Sequence, residues 1–380
     1  MQKSFDVIVV GVGAMGSAAC FHLARRGVRV LGLEQFDIPH GQGSSTGFSR
    51  IIRTSYHEHP DYVPLLRSSF GLWRDLESAS GEKVLHLTGG LYIGPPEGEV
   101  VGGVRRASQQ FSIACESLSH AELRQRFPQF TVPENFIGVL EEQAGFLLPE
   151  KAVALHAWLA LRRGAELHGQ EAVVSWRETP DGVEVVSTKG TYHAGKVIFC
   201  GGAWTDRLVR ELGVPLRVTR QVLGWVWPER PELFEPGRLP VWILDHLDGS
   251  VHYGFPMAAD NPGFKLAHHH PGEIVDPDFV PRSVQPGDEA TFRSILEHHI
   301  PDANGPLLSL RTCLYTNSPD GHFIIDQHPE HSRVVLACGF SGHGFKFASV
   351  IGEALSDLAT KGSTLHPIDF LQLKRFRKPS

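Results

Sequence analysis

The sequence predicts an α/β plus α+β architecture: a parallel sheet flanked by helices, interleaved along the chain with a separate antiparallel sheet. Three observations predict it. The N-terminus runs from an apolar, β-branched stretch through closely spaced glycines into an amphipathic helix and a second apolar stretch. Two later apolar runs, around 196–199 and 334–338, also end in glycine-rich turns that lead into helices. Between these lie short aromatic segments punctuated by Pro and Gly, the pattern of antiparallel strands.

Each part of the first element has a physical role. Asp6 to Val10 suits a buried parallel strand. Gly11, Gly13 and Gly16 follow at G-x-G-x-x-G spacing. Gly11 allows the tight turn, Gly13 lets a pyrophosphate approach the backbone, and Gly16 lets helix and strand pack closely. The helix from about Ala14 to Arg26 stops at Gly27, and its N-terminus offers unpaired N–H groups and a positive dipole end to phosphates. A second strand, Val28 to Leu33, ends on Glu34, whose carboxylate suits both ribose hydroxyls and repels a 2′-phosphate. The element predicts a Rossmann-type dinucleotide site and leaves NAD and FAD open.

Composition narrows the partners. A length of 380 residues accommodates one large or two interleaved domains, and 41% hydrophobic with 21% charged residues is ordinary for a soluble globular chain. A net charge of −6 argues against nucleic acid or an anionic membrane as partner. No signal peptide, membrane-spanning run or peroxisomal tripeptide is visible, so a cytoplasmic location is expected. Cys20, Cys115, Cys200, Cys313 and Cys338 lack CxxC spacing, which argues against disulfides and zinc; Cys20, Cys200 and Cys338 are expected in the core. Histidines cluster at 57 and 59, 268–270, 298–299, and 328 and 331, but without metal-ligand spacing, and no metal is expected.

Along the chain, residues 35–49 read as a glycine- and serine-rich loop that returns toward the nucleotide site and enters Arg50 and Arg53. Two arginines three apart read either as ligand contacts or as a solvated face. A helix is expected from Tyr62 to Ser78. Hairpin-like strands and one helix, around Val100 to Gln110, follow up to Gly145. Glu150 to Arg163 is helical, and Glu171 to Ser187 forms two strands joined by Thr179-Pro180-Asp181-Gly182, where Asp-Gly is a hairpin signal. Strands at 223–227, 241–244, 251–256 and 263–269 make an aromatic antiparallel sheet, a usual wall for a small ligand. A helix at 290–298 and a strand at 308–315 precede the last strand, glycine turn and helix, the helix running from Phe347 to about Thr360. The lobes therefore alternate: 1–82, 146–213 and 319–380 build the nucleotide domain, 83–145 and 214–318 the substrate domain.

Five stretches then carry a resemblance: DVIVVGVGAMGSAA at the N-terminus, SRIIRTSYHE at 49–58, YGFP at 253–256 with FKLAHH at 264–269, TCLYTNSPDGHFIID at 312–326, and GFSGHGFKFASVIGE at 339–353. In this order they resemble, nearly end to end, the monomeric sarcosine oxidase and N-methyltryptophan oxidase family of flavoproteins. The resemblance implies FAD rather than NAD, bound covalently through Cys313 to the flavin 8α-methyl group. It implies cofactor contacts from Gly11, Gly13, Met15, Gly16, Glu34, Ser44, Ser49, Arg50, Val173 and Gly201, and from Gly342, Gly344, Phe345 and Lys346 in the last turn. Arg53 and Lys346 are the implied carboxylate-binding pair, with Tyr315 beside them. Lys265 is the implied oxygen-activating lysine, Arg50 lies near the flavin ring, and Tyr253 and His269 line the pocket above it.

The implied reaction is oxidation of a secondary amino acid such as sarcosine to an imine, with dioxygen reduced to hydrogen peroxide by a monomeric enzyme. Pipecolate, proline-like, N-methyltryptophan and glycated substrates stay open, as does a dehydrogenase with another electron acceptor. One departure stands out. Where relatives usually carry His-Gly-Asp-Thr before the first arginine, this chain has Thr46-Gly47-Phe48-Ser49.

Overall fold

A computed structural model describes residues 4–258, 261–269 and 272–376. The N-terminal third contains β1 (Ser4–Val10), α1 (Ala14–Arg25), β2 (Val30–Leu33), β3 (Arg50–Ile52), α2 (Tyr62–Ser80), β4 (Leu85–Leu87), β5 (Gly90–Gly94), α3 (Glu99–Phe111) and β6 (Cys115–Leu118). The middle contains α4 (His120–Arg126), β7 (Ile137–Glu141), β8 (Gly145–Leu147), α5 (Pro149–Arg162), β9 (Glu166–His168), β10 (Val173–Thr179), β11 (Gly182–Ser187), β12 (Thr191–Phe199), α6 (Thr205–Leu208) and β13 (Arg217–Val226). The remainder contains β14 (Val241–Asp245), β15 (Val251–Phe255), β16 (Phe264–His268), α7 (Ala290–His299), β17 (Leu307–Asn317), β18 (Ile324–Gln327), β19 (Val334–Cys338) and α8 (Ala348–Lys361).

The first large sheet has the order β10-β11-β12-β1-β2-β9, with β19 also on β12 and β18 on β19. Its centre is parallel: β1 pairs in parallel with β12 and β2, and β12 with β19. Val7, Ile8 and Val9 of β1 are fully or almost fully buried, because helices or strands cover both faces. α1 crosses α8 so closely that a Cβ on Gly352 would come within 2.5 Å of the Ala18 Cβ.

The second large sheet has the order β17-β13-β16-β15-β14-β5-β7-β6. Period-two alternation assigns its faces. Trp242, Phe264 and Leu266 pack with Phe292 of α7 on one side, while Leu223, Trp225, Ala267 and Cys313 cluster on the other with Tyr253 and Tyr315. A three-stranded sheet, β3-β8-β4, carries Arg50.

Several sequence expectations are corrected. The second sheet is not wholly antiparallel, since β14 runs parallel to β5. β4 and β5 do not form a hairpin; they belong to different sheets. A further helix, α4, is nucleated by a capping box in which Ser119 and Glu122 satisfy each other's backbone N–H groups. β2 begins at Val30 rather than Val28. Cys20 and Cys338 are core residues, but Cys200 is only partly buried and lines a cleft. His270 lies outside the described residues.

Candidate cofactor and substrate site

A cleft of about 360 Å³ opens where β1, β2, β12 and β19 end, as expected for ligands of open α/β sheets. The turn after β1 leaves no room for a Cβ at Gly11 or at Gly16. Gly11 has φ +87°, and a Cβ there would lie 2.4 Å from the Cys200 carbonyl oxygen; a Cβ on Gly16 would lie 1.8 Å from that of Gly11. A Cβ on Gly13 would meet only the Ser45 hydroxyl, at 3.6 Å; Gly13 has no side chain to cap α1, and Ser45 Oγ accepts from the Ala14 N–H at 3.2 Å. Glu34 is buried at the end of β2, where its two oxygens accept from the Val12 N–H at 2.8 Å and the Phe36 N–H at 3.1 Å. A glycine turn, a helix start without an N-cap side chain and a fixed carboxylate on one cleft fit a dinucleotide cofactor.

Of the residues named from sequence, Gly11, Gly13, Met15, Glu34, Ser44, Arg50, Val173, Gly201, Tyr315, Gly342, Gly344 and Phe345 line this cleft. Gly16, Ser49, Cys313, Lys265 and Lys346 lie behind its surface, with Gly16 packed on the turn itself. Ser44 donates to the Leu314 carbonyl at 2.5 Å and so ties the 35–49 loop to β17. Arg50 donates to the Ser44 and Ser49 carbonyls.

A second cavity, of about 70 Å³, shares Arg50, Tyr315, Gly342 and Phe345 with the cleft. Arg53, Lys346, Tyr253 and His269 all line it. Arg53 is 3% exposed, and its Nη2 contacts both oxygens of Glu58 at 2.7 Å. Burial opposes the charge on Glu58, yet Arg53 and nearby cations hold its carboxyl well below the usual range. Lys346 is 6% exposed, and burial followed by the Arg53 charge lowers its pKa to about 7. Its carbonyl accepts from Ser69 Oγ at 2.5 Å and Trp73 Nε1 at 2.9 Å, so α2 fixes the backbone that carries it. His269 Nδ1 faces Tyr315 Oη at 3.3 Å.

Lys265 is fully buried between the sheet and the 46–49 loop. Its ammonium donates to the Gly47 and Ser49 carbonyls at 2.7 Å each and lies 3.1 Å from Ser49 Oγ, and its Nζ lies 4.4 Å from the Phe255 ring centroid. Burial, then the field of Arg50, pushes its pKa well down. Cys313 lies in the same cluster at 1% exposure; burial raises its thiol pKa, against the opposing charges of Arg50, Lys265 and Arg282. Phe48, which marks the departure from the family pattern, adopts φ +66°. Its ring lies 4.2 Å from the Arg311 guanidinium, and its N–H and that of Gly47 donate to Glu150.

The sequence reading missed Glu58, Glu150, Tyr56 and His343. Glu58 sits inside the SRIIRTSYHE stretch, so an acid five residues after a buried arginine was a visible signal. Glu150 reaches back about a hundred residues and left no local signal. Tyr56 Oη and His343 Nδ1 are 2.5 Å apart. Among the described residues no group of three or more His, Cys, Asp or Glu is arranged to hold a metal ion, and no helix is long and apolar enough to cross a membrane.

Comparison with known proteins agrees with this geometry. Residues 6–358 match the family model described as DAO, FAD dependent oxidoreductase. The chain is 42% identical to a monomeric sarcosine oxidase of Streptomyces avermitilis over 379 residues, covering 99% of this chain and 98% of that protein. It is 34% identical to an N-methyl-L-tryptophan oxidase of Yersinia pestis, covering 98% of this chain and all of that one. The solved structure of NikD, an amino acid oxidase of nikkomycin biosynthesis, superposes with a TM-score of 0.85 at 26% identity, covering 98% of each chain.

Proposed function

The chain belongs to the FAD-dependent oxidoreductase family, in the branch of monomeric sarcosine oxidases and N-methyltryptophan oxidases, and from that premise we propose that it oxidises a small secondary amino acid such as sarcosine. The observation that carries this reading is the small cavity next to the cofactor cleft, with two buried basic side chains, Arg53 and Lys346, on its wall. When bound, FAD accepts two electrons and a hydrogen from the carbon next to the substrate nitrogen and passes reducing equivalents to dioxygen, leaving an imine that hydrolyses and hydrogen peroxide.

The protein supplies binding, orientation and electrostatics. Gly13 and the start of α1 take the pyrophosphate, and Glu34 takes the ribose. Ser44, Ser49, Arg50, Val173, Gly201 and the 342–346 turn hold the rest of the cofactor, with Cys313 as the covalent attachment point. Arg53 and Lys346 fix the substrate carboxylate through charge-assisted bonds, and Tyr253, His269 and Tyr315 shape the space above. Lys265, whose Nζ donates to the Gly47 and Ser49 carbonyls, takes the oxygen step in this reading. In this reading 1–82, 146–213 and 319–380 form the cofactor domain, and 83–145 and 214–318 form the substrate domain.

The cavity of about 70 Å³, walled on the second sheet by Ile243 and Val251, is small beside the adjoining cleft of about 360 Å³ and favours a small substrate over a bulky one. The test is a substrate panel read by peroxide release: sarcosine, L-proline, L-pipecolate, N-methyl-L-tryptophan and a fructosyl amino acid. Sarcosine or the small cyclic acids are expected to give the highest kcat/KM. Preference for the indole substrate, or no peroxide from any of them, would overturn the proposal.

A further inference from the structure

The small cavity has an uneven charge balance. Arg53 and Glu58 neutralise each other across two contacts of 2.7 Å. Lys346 has no such partner. Its Nζ donates to the His343 carbonyl at 2.7 Å and makes only a long contact, 3.5 Å, to Tyr56 Oη. Among the described residues, no carboxylate lies within the 4.0 Å of an ion pair. Arg53 and Lys346 also flank one ring: the guanidinium carbon is 4.2 Å, and the ammonium nitrogen 5.1 Å, from the Tyr56 centroid. A buried ammonium with no direct ion-pair partner, next to a second cation and with Glu58 acting only at longer range, favours its neutral form.

We infer that Lys346 stands neutral in the empty site and is the base that removes the proton from the substrate's ammonium group. The inference rests on the reading of this cavity as an amino-acid site. The proton count balances. An amino acid arrives as a zwitterion with two hydrogens on its cationic nitrogen. One of them moves to the lone pair of Nζ, leaving a neutral secondary amine and a lysine ammonium. The new ammonium pairs with the substrate carboxylate beside Arg53, so no proton enters or leaves the site. The nitrogen lone pair needed for oxidation of the adjacent C–H bond is thereby exposed. Only the α-carbon separates the amine from the carboxylate, so a base bonded to the carboxylate is within one hydrogen bond, or one water, of the amine.

Other titratable groups around the cavity are already committed. His343 donates from Nε2 to the Gly321 carbonyl at 3.0 Å, which leaves Nδ1 as the acceptor of the Tyr56 hydroxyl. His57 lies against Glu58 at 3.5 Å and is shifted by burial to about 3. Glu58 is spent on Arg53. Burial raises the phenols of Tyr56 and Tyr62 beside Lys346, and of Tyr253 and Tyr315 on the second sheet. Arg50 lines the cavity as a further cation. The competing base is His269, whose Nδ1 faces Tyr315.

The test is proton uptake on binding methoxyacetate, which has the shape of sarcosine with an ether oxygen in place of the amine and so has no proton to give. Calorimetry of the holoenzyme in buffers of different ionisation enthalpy counts the protons directly. At about pH 9 about one proton should enter per ligand bound, falling below about a tenth at about pH 5. Lys346→Arg, permanently charged, should bind methoxyacetate with no uptake, and His269→Asn should keep the uptake. Binding to the wild type at about pH 9 without uptake overturns the inference while leaving the amino-acid site intact. Uptake that survives in Lys346→Arg, or is lost in His269→Asn, gives the role to another base and also overturns it. If methoxyacetate binds but does not compete with the amino acid that the enzyme turns over, the reading of the cavity itself fails.

Discussion

Replacing Glu58 by glutamine tests whether the substrate carboxylate competes for Arg53. In the folded chain the Glu58 oxygens occupy Arg53 Nη2 at 2.7 Å, and the Ser55 carbonyl occupies Nη1 at 2.9 Å. A carboxylate ligand must therefore displace or share the Glu58 contact. Glutamine keeps the shape and one acceptor oxygen but removes the charge. Deleting one partner of a buried pair costs about 3–5 kcal/mol, and the retained amide oxygen brings this change below that range, to about 2–3 kcal/mol. At about 2 °C per kcal/mol for a long chain, the melting temperature should fall by about 5 °C. Ligand binding should move the other way. An Arg53 charge freed of its internal partner offers a charge-assisted bond worth about 1.5–3 kcal/mol, or a roughly 10- to 150-fold lower Kd for methoxyacetate. The assay pairs a thermal melt with titration of the flavin absorbance. A lower melting temperature with an unchanged or weaker Kd would show that Arg53 is not a carboxylate ligand.

Lys265→Met leaves two carbonyls and a hydroxyl without their donor and should slow reoxidation of the reduced enzyme by air roughly 10²- to 10³-fold; an unchanged stopped-flow rate would remove Lys265 from the oxygen step. Acid-denatured wild type should keep its yellow colour and Cys313→Ala should lose it; free FAD released from the wild type would refute the covalent link. Asp288 is bonded by Arg220 at 2.7 and 2.8 Å, which holds its carboxyl below the ordinary value. A depressed folded pKa contributes stability above the unfolded value of about 3.9 that is lost as pH falls through the folded one. Asp288→Asn should therefore melt lower at neutral pH and show a flatter acid limb; a curve parallel to the wild type would speak against the pair.

Local physics made much of the fold readable. The run from β1 to Glu34 encodes its strand, turn and helix within thirty residues, and the last strand, turn and helix repeat that logic. What the sequence hid is long-range. The parallel pairing of β5 with β14 joins segments about 150 residues apart, and neither carries a mark of its partner. Glu150 is indistinguishable from a surface acid at a helix start until the fold brings it to the Gly47 and Phe48 amides. α4 differs, since its Ser119-x-x-Glu122 signature is local and was available. Individual cavity residues were visible because of the family resemblance, yet their pairing was not. Arg53 looked like a free cation and proved to be half of an ion pair.

The bonds from Ser69 and Trp73 to the Lys346 carbonyl have a mechanical consequence. They tie Lys346 to α2, whereas Ile243, Val251 and Tyr253 belong to the second sheet and His269 directly follows its strand β16. If Lys346 takes the substrate carboxylate as proposed, a bound amino acid bridges α2 and the second sheet, and ligand present at a hundredfold its Kd stabilises the folded chain by about 2.7 kcal/mol through both at once.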